Sequence, residues 1–539
     1  CFGGAGGQHA CAVARNLGID TVLVHPYAGV LSAYGIGCAD SLWQGSRPVA
    51  RLPLSDETLA ALESDFQALE TEGQDILKEQ GFQSSGLRLT RKLDLRYLGT
   101  ETAITINEPT GKTYLMAFEN HHHRLYGYVR TDRPVEILQV RVEVAGLSDV
   151  QPPKPINNTH KELSPRDRTQ VAFTEGWFDT PIYSREDLQA GHNLVGPAII
   201  LESIGTVLVE PDFRARVDEH NNLILERHCN APARRELTTS KDLNPVALES
   251  FNYLFMSIAE QMGTVLRQTS VSTNIKERLD FSCALFDEGG NLVANAPHMP
   301  VHLGAMGESV RAVIDRWATM TPGDVYVTND PYAGGSHLPD LTVVTPVFEE
   351  SNLRFFVASR AHHADVGGVS PGSMPAFSTT LAEEGILLNC IRLVVAGEFD
   401  EMRFLNLFST GRYPVRNLSD NRADLEAQLA ANNTGVRLLI ELVDHYGLDT
   451  VLTYMKFIRD NAANSVRKAL AQLSDGKFEF TDQMDDGTAV GVTLLIDGER
   501  AVIDFGGTGT ESKGNLNAPP AVVRAAVYTI GELHEHLHL

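Results

Sequence analysis

Between Thr328 and Gly372 the chain reads TNDPYAGGSHLPDLTVVTPVF and then FFVASRAHHADVGGVSPG. His337 and Asp340 stand three apart, and His362, His363 and Asp365 follow about one strand and one turn later. Imidazole and carboxylate groups hold hard or borderline divalent metals, two often coming from one short motif and the others from elsewhere. Gly334, Gly335, Gly367 and Gly368 flank these groups and let the backbone bend close to a ligand. A metal-dependent enzyme is the first expectation; the competing one is a satisfied polar network beneath a glycine-rich loop. If the segment holding His362 and His363 is extended, only one of the two rings can face a metal.

Other segments carry groups that could join or rival this site. NIKERLDFS (274–282) places Glu277, Arg278 and Asp280 just before a strand, where carboxylates can reach a shared metal or Arg278 can pair with an acid at the surface. APHMPVHLGAM (296–306) carries His298 and His302. A proline between two histidines four apart keeps them off one regular helical face, so they are expected to line a pocket rather than ligate. GGAGGQHA (3–10) sets Gly3, Gly4, Gly6 and Gly7 before a helix, which suits either a nucleotide at the helix N-terminus or a tight turn. DFGGTGTESKG (504–514) resembles a phosphate-loop strand and turn, with a plain β-turn as the alternative. His121–His123 read as a solvated turn, and His534, His536 and His538 in the tail carry no expectation.

The elements that must position these groups are legible in outline. A helix is expected over His9–Leu17, a strand over Thr21–His25, and an amphipathic helix over Ser55–Gln80 with Ser55 as N-cap. From Leu87 the pattern becomes mostly β, through VRVEVAGL, AIILES, TVLVE and NLILERH. The polar, non-periodic stretch 228–245 is the best linker, and Asn244-Pro245 then introduces a long helix. FSCALFDEGG and NLVANAP form a hairpin-like pair, Arg422–Leu473 is largely helical, and strands return at KFEFTD, AVGVTLLID and AVIDFGG. The 539 residues suggest about three or four domains of mixed α/β and α+β class.

A net charge of −24, from 45 Lys plus Arg against 69 Asp plus Glu, argues against nucleic acid or an anionic membrane as partner. No apolar run approaches the ~18 residues of a membrane span. Six scattered cysteines without a CxxC pair read as reduced thiols of a cytoplasmic protein. The chain opens CFGGAGGQHA and stops at GELHEHLHL, so both ends are expected to continue in a longer protein.

The runs FMSIAEQMGTVLRQTSVSTNIKERLDFSCALFD, NAPHMPVHLGAM, GGSHLPDLTVVTP, ASRAHHADVGG and GSMP resemble the hydantoinase B/oxoprolinase family. GGAGGQHACAVARNLGI with HPYAGVLSAYGIG resembles the end of the hydantoinase A/oxoprolinase family. The resemblance spans nearly the whole chain, and both halves occur together in the fused, ATP-hydrolysing oxoprolinases. It implies the end of an actin-like (ribonuclease H-like) ATPase lobe over 1–45, a β-rich domain over 46–227, the linker 228–245 and a B-type α+β domain over 246–539. It also implies an activity: 5-oxo-L-proline, ATP and water give L-glutamate, ADP and phosphate by way of a phosphorylated lactam. By the same resemblance, Glu277, His337, Asp340 and His362 (His363 being the rival for the last) would hold Mn, Zn or Fe. His302, Asp365 and His363 would act in acid–base chemistry or behind the ligands, and the four N-terminal glycines would approach ATP and its Mg. The family's first phosphate motif, DxGGTxTD, is not among these residues, so the chain alone is expected to turn over no ATP. A homodimer or larger oligomer is expected from apolar surface left on the partial lobe. The rival readings are a hydantoinase or acetone-type carboxylase and a non-catalytic assembly piece.

Overall fold

The computed structural model describes residues 1–17, 19–131, 133–149, 155, 163–173, 176–227, 244–295 and 299–537. Most of the linker expected at 228–245 lies outside them, as do His298 and His538 and the side chains of His534 and His536. The chain forms two compact units, Cys1–Pro48 with Ala60–Lys92 and Val140–Thr239, and Val49–Leu59 with Leu93–Gln139 and Ser240–Leu539. Among the described residues no helix is long and apolar enough to cross a membrane.

In the first unit, helix α1 (Gly6–Leu17) lies over strand Thr206–Val209. That strand belongs to one four-stranded sheet, with Ala198–Leu201, Gly176–Ser184 and Asp167–Phe173, and a second sheet joins Thr21–Val24, Leu223–Arg227, Phe213–Val217 and Asn193–Val195. Ala10, Cys11 and Ala14 of the helix share a core with Ile200, Val207, Phe213 and Leu225. Gly7 is buried at the crossing, where a β-carbon would stand 2.7 Å from the Thr206 carbonyl oxygen and 2.9 Å from Val207. The absence of a side chain there is what lets the helix approach. Helix α2 (Asp56–Glu79) begins, as expected, where the Ser55 hydroxyl accepts from the Thr58 N–H at 3.1 Å. Another four-stranded sheet has the order Ser41–Pro53, Val135–Gly146, Leu87–Tyr97 and Ile104–Asn107.

The triple histidine is not a solvated turn. It lies in helix α3 (Tyr114–Tyr126), capped by the Thr113 hydroxyl and ended by Gly127 at φ +84°. His122 is 5% exposed, ringed by Tyr97, Phe118, Tyr126 and Tyr128, with Nδ1 2.9 Å from the Tyr128 carbonyl oxygen. Phe118 and Tyr126 are four residues to either side, so one helical face is continuous through the histidine run. Burial pushes the His122 imidazole down to about 4.

The second unit is built on a seven-stranded antiparallel sheet. Its strands are β1 (Phe281–Asp287), β2 (Leu292–Asn295), β3 (Val325–Thr328), β4 (Asp340–Glu349), β5 (Asn352–His362), β6 (Ile391–Val395) and β7 (Glu398–Phe399), in the order β2-β1-β5-β4-β3-β6-β7. Helix α4 (Pro245–Thr269) starts with Pro245 at its first position, and the Asn244 side chain accepts from the N–H groups of Val246 and Ala247. Helix α5 (Pro300–Arg316) covers one face of the sheet, its Met306, Val310 and Val313 packing on Phe286, Val344, Phe356 and Ala358. Helix α6 (Leu418–Tyr446) covers the other, with Leu425 in a core that includes Val327, Leu341 and Val343. Helix α7 (Pro520–Leu537) packs on α5, where Gly304 leaves room for the backbone of Ala525. The segment DFGGTGTESKG forms a turn after strand Arg500–Asp504, hydrogen-bonded back to Ala489 and Gly491, and no helix follows until Pro520.

Two measurements check this packing. Gly7→Val forces side-chain carbons into the Thr206 backbone and is expected to lower stability by about 1–3 kcal/mol in denaturant unfolding. For His122, the unfolded value of 6.5 falls to about 4 on folding, so the folded state refuses a proton that the unfolded state accepts. Stability is therefore nearly unaffected above pH 6.5 and falls as pH drops from 6.5 through 4, by about 3 kcal/mol in total. His122→Phe should remove that part of the pH dependence, read as the difference in unfolding free energy between neutral and mildly acid buffer.

Candidate metal centre

Strand β4 begins at Asp340 and β5 ends at His362, and the two residues are directly paired across the ladder. The next pair on the same face is Thr342 with Arg360. The loop entering β4 brings His337, and a turn bond from the Asp340 N–H to the His337 carbonyl, 3.1 Å, fixes their spacing. Gly334, at φ +87°, is pressed against α5, where a β-carbon would stand 2.2 Å from the Ser309 nitrogen. His302 comes from the first turn of α5, two residues after Pro300. The proline starts the helix, where the first position needs no N–H, so His302 lies on it, while His298 precedes it in sequence and falls outside the described residues.

These side chains converge on one carboxylate. Asp340 is 1% exposed, and its Oδ2 lies 3.0 Å from His337 Nδ1 and 3.4 Å from His302 Nε2. Ser336 donates its hydroxyl to the same oxygen. Oδ1 lies 3.3 Å from His362 Nδ1, yet it is buried and has no hydrogen-bond partner of good geometry. The His337 and His362 rings are 4.9 Å apart between centroids. Burial alone would push the Asp340 carboxyl up; the imidazoles of His302, His337 and His362 around it hold it well below the usual carboxylate range. Burial likewise works against charge on His337, but its bond to Asp340 prevails and raises it above the ordinary imidazole value. On the same face Arg360 is fully buried, and desolvation brings its guanidinium down to about 10.

One ligand atom from each of His337, Asp340 and His362 fits within a 4.8 Å span. That is close to the reach of two metal–ligand bonds of about 2.1 Å each. Two imidazoles and a carboxylate are the donor set of catalytic zinc and of non-haem iron sites. With Oδ1 buried and without a hydrogen bond, the residues present fit a divalent ion. His337 keeps 33% of its side chain exposed, so the cluster opens to solvent on its side. His302 stands behind it: the Ser282 hydroxyl accepts from the Met299 N–H and meets His302 Nδ1 at 3.0 Å, which leaves Nε2 to face Asp340. Ser282, His302 and Asp340 resemble a nucleophilic triad in order only, since Ser282 is 2% exposed and its hydroxyl is already engaged.

The other residues singled out from the sequence fall elsewhere. His363 points to the opposite face, its Nε2 3.0 Å from Gln428 and its Nδ1 3.2 Å from Asn421 of α6. Asp365 organises a turn, accepting from the N–H groups of Gly367 and Gly372 and from Arg416 at 2.5 Å. Glu277 is exposed at the end of the short helix Thr273–Lys276 and is outside the ligand cluster. Asp280 is nearer, its Oδ2 3.7 Å from His362 Nδ1, and Leu279 before it holds a left-handed φ of +57°. Of the N-terminal glycines, Gly7 is taken up by the helix crossing, whereas Gly3 and Gly4 are exposed. Ser282, Ser336 and Arg360 escaped the sequence reading, because nothing in a hydroxyl or a strand arginine marks it before the register is known.

The family model "Hydantoinase B/oxoprolinase" matches residues 244–533, "Hydantoinase/oxoprolinase" matches 1–44, and "Hydantoinase/oxoprolinase C-terminal domain" matches 54–228. The chain is 43% identical to 5-oxoprolinase 1 of Arabidopsis thaliana over 98% of its own length and 44% of that protein. It is 40% identical to the 5-oxoprolinase of Dictyostelium discoideum over 98% of itself and 42% of that protein. It thus spans less than half the length of these relatives. Among solved structures, the ATP-dependent caprolactamase from Pseudomonas jessenii aligns with a TM-score of 0.50 and 26% identity, over 53% of this chain and 50% of that one. The chain is a member of the hydantoinase/oxoprolinase family, with A-type segments leading into a B-type domain.

Proposed function

We propose that this chain serves the ATP-dependent hydrolysis of 5-oxo-L-proline to L-glutamate, with the ring opened at the His337–Asp340–His362 centre. The carrying observation is the buried Asp340 carboxylate between the His337 and His362 imidazoles, its Oδ1 without a hydrogen bond, in a chain that over 98% of its length matches proteins named 5-oxoprolinase. A lactam is a poor electrophile. Transfer of the ATP γ-phosphoryl group to its oxygen forms a C–O–P link, releases ADP and leaves carbon open to water. Addition of water lets the C–N bond break with the nitrogen leaving protonated, and a second water frees phosphate from the resulting acyl phosphate. On the family reading, residues 1–45 close an actin-like ATPase lobe, and the exposed Gly3 and Gly4 ahead of α1 are the glycines that face nucleotide phosphates.

In the B-type unit, His337, His362 and Asp340 would hold a divalent ion. When bound, such an ion lowers the pKa of a water and polarises a carbonyl. His302 and Ser336 keep the Asp340 carboxylate turned, Ser282 fixes the face that His302 presents, and Asp280 stands beside His362.

Metal analysis of the purified protein tests the centre. About one divalent ion per chain is expected, lost in His337→Ala and Asp340→Ala and retained in His363→Ala; His302→Ala should weaken binding about 10- to 100-fold. Folded wild-type protein that takes up neither Mn nor Zn would turn these residues into a closed polar network. The reaction is tested in the full-length enzyme with ATP and a panel of 5-oxo-L-proline, hydantoin, caprolactam, and acetone with bicarbonate. Glutamate and ADP in equal amounts are expected with 5-oxo-L-proline. Bicarbonate-dependent carboxylation, or turnover of another ring alone, would replace this reading with one of its rivals.

A further inference from the structure

We propose that Arg360 is the positioning residue of this centre, a single guanidinium that sets the elements carrying His302, His337, Asp340 and His362 against one another. The inference rests on the metal-centre reading above and extends it to a residue that is no ligand. Arg360 is 0% exposed, and it donates from Nε to the Thr342 hydroxyl at 2.7 Å, and from Nη2 to the Ser309 hydroxyl at 2.7 Å and the Gly334 carbonyl at 2.8 Å.

Each anchor lies a short, fixed step from a site side chain. Arg360 precedes His362 by two on β5 and so shares its face. Thr342 follows Asp340 by two on β4, and the register pairs Thr342 with Arg360 as it pairs Asp340 with His362. Ser309 follows His302 by seven on α5, about two turns along one helical face. Gly334 precedes His337 by three in the loop that enters β4. Its positive φ and its contact with the Ser309 backbone press the loop onto α5, which brings the carbonyl to the guanidinium. Two strands, one helix and one loop therefore meet at one planar group.

Stability alone does not account for this arrangement. Nη1 is buried with no hydrogen-bond partner, so the charge is incompletely compensated. Apolar residues of similar volume often fill such places as stably as a buried charge does. An apolar residue cannot tie three acceptors on three elements, and a lysine ammonium, a point charge without the planar fork, cannot reproduce the geometry.

The test compares wild type with Arg360→Met, Arg360→Lys, Ser309→Ala and Thr342→Val. Each is read by Co²⁺ affinity and visible ligand-field spectrum, by hydrogen exchange of the amides in 334–341, and by Tm. Arg360→Met is expected to bind Co²⁺ about 10-fold or more weakly, with altered bands and faster loop exchange, and with a Tm close to wild type. Arg360→Lys should recover only part of the loss. Ser309→Ala and Thr342→Val should each move affinity and exchange in the same direction by a smaller step, and they decide the matter if Arg360→Met does not fold. Wild-type affinity, spectrum and loop exchange in Arg360→Met, or in both single-anchor variants, would overturn the proposal. If wild type itself binds no Co²⁺, the metal reading falls, and the exchange data alone still show whether Arg360 holds the loop.

Discussion

Asp340 is a carboxylate in a place that water barely reaches, and the second unit is arranged around keeping it charged. A buried carboxylate with no partners would take up a proton. Here three imidazoles and the Ser336 hydroxyl surround it, and together they outweigh the cost of burial. This one interaction fixes much else. It requires that β4 begin where β5 ends, that α5 start within reach of the same oxygen, and that the loop before β4 turn tightly enough to bring His337 back. It also leaves Oδ1 without a hydrogen bond, and a buried acceptor that the protein does not satisfy is the natural place for a cation.

The sequence made part of this legible. The spacing of His337 and Asp340 and the later His362 were enough to suggest a metal, because those groups change the chemistry of any loop they occupy. The choice between His362 and His363 was reducible to parity, but parity has no sign until the register is known. The register pairs Asp340 with His362 and so turns His363 towards α6. That pairing depends on the turn between Glu349 and Asn352, a full strand away from either residue. Glu277 shows the opposite limit. Carried over from a motif, it stands exposed after a one-turn helix, while Asp280, three residues on, is held near His362 by an unusual backbone conformation at Leu279. Side-chain type was legible at this junction and backbone direction was not.

The helices were the most legible elements where their apolar positions repeat every three or four residues, as in α2 and α4. They were least legible where a polar residue occupies the apolar face. His122 is the plain case: its neighbours at four-residue spacing are aromatic, and the imidazole fills the gap as a neutral, hydrogen-bonded ring. In a composition count it is polar, and in the packed structure it belongs to the core.

The same principle operates behind the Asp340 cluster. On the α6 side, Gln428 donates to the carbonyls of Leu341 and Ser359, and Asn432 donates to that of Val343. Strand carbonyls have a second lone pair, so these amides add bonds without breaking the ladder. Gln428 also meets His363, and Asn421 bridges His363 and the Asp365 carbonyl. The strand ends that bear Asp340 and His362 are therefore clamped from one face by side-chain amides and tied on the other by Arg360. Ligands that must hold their geometry to within about 0.5 Å need such support on rigid elements. A row of buried polar residues on both faces of β4 and β5 is costly for a fold that has only to be stable, and it is understandable in one that must keep four side chains aimed at a single point.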